Sequence, residues 1–233
     1  MSGIIIIGKK GKDLAAKAVN LWMLHQQRGL DMFEFGDLYL RPIEKDDLRA
    51  IQEWENDSEL MMFSRTQPVN FTSLVQLEKQ YEDWTRDPSN LRQLVSLAAT
   101  REAIGVSRIT KEIWGNVQGA DIGLYIGDKE NWERGLGKQA TLALLEICFN
   151  QLNIERCEAW SVEYHDRAHK ALEACGFKKV GVSRKNVFVN GRKWDSFLYD
   201  LLREEYLGLR NQLIKETLGL RSELYMEKIG NLK

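Results

Sequence analysis

The 233-residue sequence predicts an α+β fold, in which helices pack on a mixed, mostly antiparallel sheet. Three observations carry this. Segments 91–99 and 103–109 are apolar strands joined by a short polar turn, and 180–202 folds back on itself at Asn190-Gly191. Segments with helical spacing of apolar residues lie between the strands, at 44–54, 73–84 and 137–150. Finally, Ala120 to Ala140 joins a buried strand to a helix start through a turn that carries Gly135 and Gly137. The rest of the chain is organised around that last stretch.

In chain order, residues 3–8 read as a short strand and Lys9-Lys10-Gly11-Lys12 as a basic turn. Asp13 caps a helix to about Arg28, with Leu14, Ala18, Leu21 and His25 on one stripe and Gly29 at its end. Residues 37–43 alternate as a strand, with Pro42 suited to an edge or strand end. A helix follows from Glu44 through Trp54. Residues 58–90 mix aromatics with carboxylates and hold a second helix, Ser73 to Trp84. After the 91–109 hairpin, Trp114-Gly115-Asn116 reads as a loop. In the central strand Ile122, Leu124 and Ile126 alternate, with Tyr125 between them. Helix 137–150 has an apolar face of Leu142, Leu145 and Phe149, Asn153 ends its turn, and 154–162 is the next strand. Asn190-Gly191 favours a type I′ turn. Residues 203–229 read as a long helix interrupted at Gly208 and Gly219, with Leu202, Tyr206, Leu209, Leu213, Leu220 and Leu224 on one broad face.

Length suffices for one domain with a real core, and a net charge of −1 gives no bulk attraction to nucleic acid. The apolar run Ile4 to Ile7 is too short for a signal peptide or a membrane span. Cys148, Cys157 and Cys175 lack metal spacing and read as buried reduced thiols, so the expectation is a cytoplasmic protein without a metal, nucleic-acid or membrane partner.

A strand, a glycine turn and a helix start are the ingredients of an anion site. Glycine turns tightly, and the free N–H groups of the first helical turn face a phosphate. On spacing alone, such a turn is more often only a turn. It lacks the third glycine of a dinucleotide fingerprint and the Gly-Lys-Ser/Thr end of a triphosphate loop.

Resemblance sharpens this. Arg134-Gly135-Leu136-Gly137 resembles motif A of the GCN5-related N-acetyltransferases (GNAT), with Trp132 where Gln or Arg is usual. His165 to Phe177 is similar to the family's second signature: Ala168, Leu172, Glu173, Gly176 and Phe177 fit, and His165 stands in the Asn position. The run Leu40-Arg41-Pro42-Ile43-Glu44 and the segment Phe188 to Tyr199 resemble the branch of ribosomal-protein-alanine and spermidine N-acetyltransferases. The signatures span about 37–203 and imply a three-layer α/β/α GNAT domain whose sheet is splayed at acetyl-CoA. They leave 1–36 as an N-terminal strand-helix appendage and 204–233 as a C-terminal helical extension, which packs on its own domain or forms a homodimer contact.

The chemistry the resemblance implies is direct attack of a primary amine on the acetyl carbonyl. Leu124, Tyr125, Ile126 and Gly127 would flank pantetheine, with N–H groups of Tyr125 to Gly127 polarising the carbonyl. N–H groups of Arg134, Gly135, Leu136, Gly137, Lys138 and Gln139 would hold the pyrophosphate. His165 and Ala168 would touch the cofactor. Leu172 replaces the Tyr that protonates the leaving thiolate in many relatives, but a thiol of pKa about 8.5 leaves tolerably without a strong acid. Asp121 is the candidate base through a water, or equally a structural hydrogen bond at the strand start. Trp54, Phe63, Tyr81 and Trp84 are candidate acceptor contacts, or core. The acceptor stays open among a protein N-terminus, a polyamine, an amino sugar on a nucleotide carrier and an antibiotic amine. An acyl-CoA-binding regulatory module without transfer is the alternative, and an assembly protein is a third reading.

Overall fold

The computed structural model describes residues 33–64, 71–114 and 116–230. The strand at 3–8 and the helix at 13–28 expected from the sequence lie outside the described residues. Phe33–Lys233 forms one compact unit.

The strands are β1 (Phe33–Phe35), β2 (Leu38–Pro42), β3 (Asn90–Leu97), β4 (Ala103–Trp114), β5 (Val117–Ile126), β6 (Arg156–Val162), β7 (Lys178–Val189) and β8 (Arg192–Leu202). They form one eight-stranded sheet in the order β1-β2-β3-β4-β5-β6-β8-β7. Among the described strands the β5–β6 pair is parallel and the others are antiparallel. The helices are α1 (Leu48–Asn56), α2 (Ser58–Met61), α3 (Leu74–Arg86), α4 (Leu136–Glu146), α5 (Asp166–Glu173), α6 (Arg203–Leu218) and α7 (Arg221–Gly230).

Local chemistry sets the boundaries. The expected turn at Asn190-Gly191 takes positive φ at both residues, as type I′ demands. Ser73 and Gln76 form a capping box on α3. Asp57 caps α2 by accepting from the N–H groups of Glu59 and Leu60.

Each face of the sheet has its own core. On one face Leu94 and Val106 pack with Ile43, Leu48, Ile51 and Leu77, from α1, α3 and the segment before them. On the other, Ile109 and Ile122 pack with α4, α6 and Phe177. Leu142, Leu145 and Phe149 are buried as expected, but α4 buries more than one face: Gln139 to Glu146 are all buried. The reason is α6, whose Tyr206, Leu213, Ile214 and Leu218 join the same core and cover the side of α4 away from the sheet.

Three expectations need correction. β1 was not foreseen and pairs with β2, although it falls within 1–36. Gly208 does not interrupt the C-terminal helix, because core side chains on both sides of it hold α6 together; the break is at Gly219, with φ 57°. The predicted apolar face holds only at Tyr206 and Leu213. That break shifts the helical phase and leaves Leu220 and Leu224 at 96% and 72% exposure.

Candidate active site

The site forms where β5 and β6 part. These strands pair only at Gly119–Arg156, Ala120–Cys157 and Asp121–Glu158. β5 then continues to Ile126 and β6 to Val162 without pairing, which leaves a wedge. Main-chain direction follows from register. Gly127 N–H donates to Ile104 O at 2.7 Å, and groups alternate along an antiparallel ladder, so odd-numbered residues of β5 address β4. Even-numbered ones address the wedge, and Gln118 O accepting from Glu155 N–H at 2.9 Å shows the same parity. The groups available to a ligand are therefore those of Leu124 and Ile126. The expectation for Tyr125 and Gly127 is corrected: their N–H groups are spent on β4. Gly127 is glycine for another reason, because a Cβ there would meet the Trp54 ring at 2.3 Å.

Beside the wedge, Gly135 takes φ 75° as N-cap of α4, and the N–H groups of Gly135 to Lys138 precede the first intrahelical bond, Gln139 N–H to Gly135 O. A Cβ built at Gly135 or Gly137 meets nothing within 4 Å. This is an open cradle at a helix N-terminus, and it fits a pyrophosphate. Lys138, Arg167 and Lys170 stand on the same cavity wall as cations. Two residues expected in the cradle do other work. Gln139 is buried, accepting from Asp37 N–H at 2.9 Å and donating to its carboxylate at 3.1 Å, so it locks the β1–β2 turn. Arg134 donates to Asn131.

A cavity of about 790 Å³ runs from this cradle through the wedge to the α1–α2 side. It is lined by nine of the candidate cofactor residues, Leu124, Tyr125, Ile126, Gly135, Leu136, Gly137, Lys138, His165 and Ala168, and by Phe63 from the acceptor set. Trp132, where the family carries Gln or Arg, donates its indole N–H to Ile126 O at 2.7 Å and lies under Arg167 at 4.2 Å. The Phe63 ring lies 4.5 Å from that of His165, tilted by 35°, and Tyr164 donates to Met62 O, so the end of α2 roofs the wedge. Burial, then the charge of Arg167, push His165 down to about 4, which keeps it neutral near pH 7.

Trp54, Tyr81 and Trp84 are not on the wall. They pack against the α1–α3 core. Asp121 is not on the wall either. Its carboxylate accepts from Arg108, and burial raises it above the usual carboxylate value against that arginine's pull. Sequence reasoning missed Arg92 and Arg108 and named Glu55 only among many carboxylates; all three line the cavity. A signal existed: Arg92 shares the inward parity of Leu94, and Arg108 that of Val106. Among the described residues no group of His, Cys, Asp and Glu is placed to hold a metal.

A profile of the acetyltransferase (GNAT) domain matches residues 37–178. The uncharacterized N-acetyltransferase p20 of Bacillus licheniformis is 26% identical over 73% of this chain and 96% of its own. The spermidine N(1)-acetyltransferase of Vibrio cholerae is 26% identical over 73% of this chain and 95% of its own. The crystal structure of the Vibrio cholerae enzyme with CoA and spermine superposes with a TM-score of 0.67, covering 73% of this chain and 98% of that one.

Proposed function

The chain belongs to the acetyltransferase (GNAT) domain family and is an acetyl-CoA-dependent N-acetyltransferase, and from that premise we propose that it acetylates a small-molecule primary amine entering from the α1–α2 side. The observation that supports this reading is one continuous cavity joining the helix cradle, the wedge and the polar wall of Glu55, Arg92 and Arg108.

Acetyl-CoA supplies the activated acyl group as a thioester. The cradle N–H groups of Gly135 to Lys138 bind its pyrophosphate, and Lys138, Arg167 and Lys170 add charge. The N–H groups of Leu124 and Ile126 are aimed to hold pantetheine and the carbonyl oxygen that gains charge during attack. The amine must lose a proton to attack, because it is mostly protonated near pH 7. Two carboxylates line the cavity, Glu133 next to the cradle and Glu55 on the α1 side where the amine enters, and we assign Glu55 that proton, directly or through a water. Asp121 acts through Arg108, as a positioning residue.

The test is CoA release across pH with wild type, Glu55→Gln and Asp121→Asn. Glu55→Gln should lower kcat across the whole profile, its acidic limb included. Asp121→Asn should raise KM and leave the limb in place. A limb that moves in Asp121→Asn alone returns the base to Asp121. Acetyl-CoA binding with no CoA release for any amine would instead favour a binding module.

A further inference from the structure

We propose that the acceptor amine carries an anionic group, a carboxylate or phosphate, held by Arg92 beside Arg108 on the sheet face opposite α4. This rests on the transferase reading above and names its substrate class.

The argument starts from register. Arg92 lies directly opposite Arg108 across β3 and β4, and Arg108 opposite Gly123 on β5. The two guanidinium groups therefore share a face, and like charges facing each other across a sheet are unfavourable without an anion. Gly123 contributes no side chain, and the Arg108 guanidinium crosses that space to reach Asp121; a Cβ at Gly123 would lie 3.4 Å from Arg108 Nη2. Arg108 also donates to Thr110 Oγ1 at 3.1 Å, so its charge is answered within the protein.

Arg92 is in a different position. Its guanidinium carbon lies 4.1 Å from the centre of the Trp84 ring, a cation–π contact that holds the group in place. Its Nε is buried and has no hydrogen-bond partner among the described residues. The Arg92 side chain is part of the cavity wall, and a guanidinium placed there with one donor unsatisfied calls for a ligand acceptor on the N–H groups that face the cavity. A planar guanidinium suits a carboxylate or phosphate, which it binds through paired N–H groups. Burial, and then Arg108, pull Arg92 below the ordinary guanidinium value, while Glu55 pulls the other way; a bound anion would reverse the shift. A polyamine brings positive charge along its whole length and would meet the unanswered charge of Arg92 on this wall, so the site selects against it.

The test measures CoA release with matched amines: 2-aminoethyl phosphate against ethanolamine, 4-aminobutyrate against 4-aminobutan-1-ol, and spermidine as a separate arm. The anionic member of one pair should lead by about tenfold or more in kcat/KM, and the pair in which it does so identifies phosphate or carboxylate. Arg92→Met should abolish that ratio and Arg92→Lys should keep part of it. Arg92→Gln, which keeps a polar group without the charge, should abolish the ratio as well. Acetyl-CoA affinity and thermal melting show that each variant is folded. Equal turnover within both pairs, or a lead for spermidine, overturns the anionic acceptor and leaves the transferase standing. No turnover of any amine by protein that still binds acetyl-CoA overturns both.

Discussion

At His165, burial against Phe63 and the charge of Arg167 hold the imidazole neutral well below its ordinary value, at about 4. The unfolded chain takes up that proton near pH 6.5, while the folded chain refuses it until about 4. Stability contributed by this group is therefore present above 6.5 and is lost as pH falls through that window, by up to about 3 kcal/mol. Urea melts from pH 7 to 4.5 should show this slope, and His165→Gln should flatten it; an unchanged slope in the variant removes His165 as its source. Gly135 and Gly137 are a second case. Both look into open space, but only Gly135 has positive φ. A side chain at Gly135 adds backbone strain of about 1–2 kcal/mol, which confuses binding with folding. Gly137→Val avoids it, and should weaken acetyl-CoA by about 100-fold with little change in melting, because its branches enter the phosphate space. Calorimetric titration decides; unchanged affinity would take the cradle out of the site.

Among the elements, α4 joins site and scaffold, with its N-terminus at the cradle and its C-terminal residue Glu146 tied to the terminal helices. Glu146 is 2% exposed and accepts from Arg210 Nε at 2.6 Å, from Arg210 Nη2 at 2.7 Å, from Tyr225 at 3.1 Å and from Tyr206. Removing the charge leaves Arg210 facing a neutral group in a largely buried place, at a cost of about 3–5 kcal/mol. Glu146→Gln should lower Tm by roughly 10 °C. The cradle is about 15 Å away along the helix, so acetyl-CoA affinity should persist in the folded variant. Loss of affinity without loss of Tm would mean that the network serves the site instead. This network shows where the sequence was legible and where it was not. Glycines 135 and 137, the hairpin turn at 190–191 and the alternation along β5 are local signals, and they mark the cradle and the central strand directly. Glu146 and Arg210 meet Tyr206 only through tertiary packing, so each of the two charged residues reads alone as a surface residue. The same holds for Arg92 and Arg108, whose partnership is a matter of cross-strand register. It holds for Gln139 too, placed in the cradle by its number but turned towards Asp37 by the fold.

For the whole molecule, the question is whether the terminal helices are an addition to the domain or part of its core. Motif spacing ends the family-like region near residue 203, and the matching profile ends at 178. The packing crosses both limits. Tyr206, Leu213, Ile214 and Leu218 sit in the same core as Leu142, Leu145 and Phe149, and Tyr206 stacks on Phe149 at 5.0 Å. Arg221 reaches Asp37 at 2.6 Å, which ties α7 to the opposite end of the chain's described fold. Without these helices the outer side of α4 would expose apolar side chains, each worth about 1.5–3 kcal/mol when buried. Several such losses equal the whole net stability of an ordinary domain. A chain ending at Leu202 should therefore lose its cooperative thermal transition and its affinity for acetyl-CoA together, read by circular dichroism and calorimetry. A truncated protein that still melts cooperatively and binds acetyl-CoA would show that α4 can hold the cradle with one side uncovered, and that the terminal helices serve something other than the core.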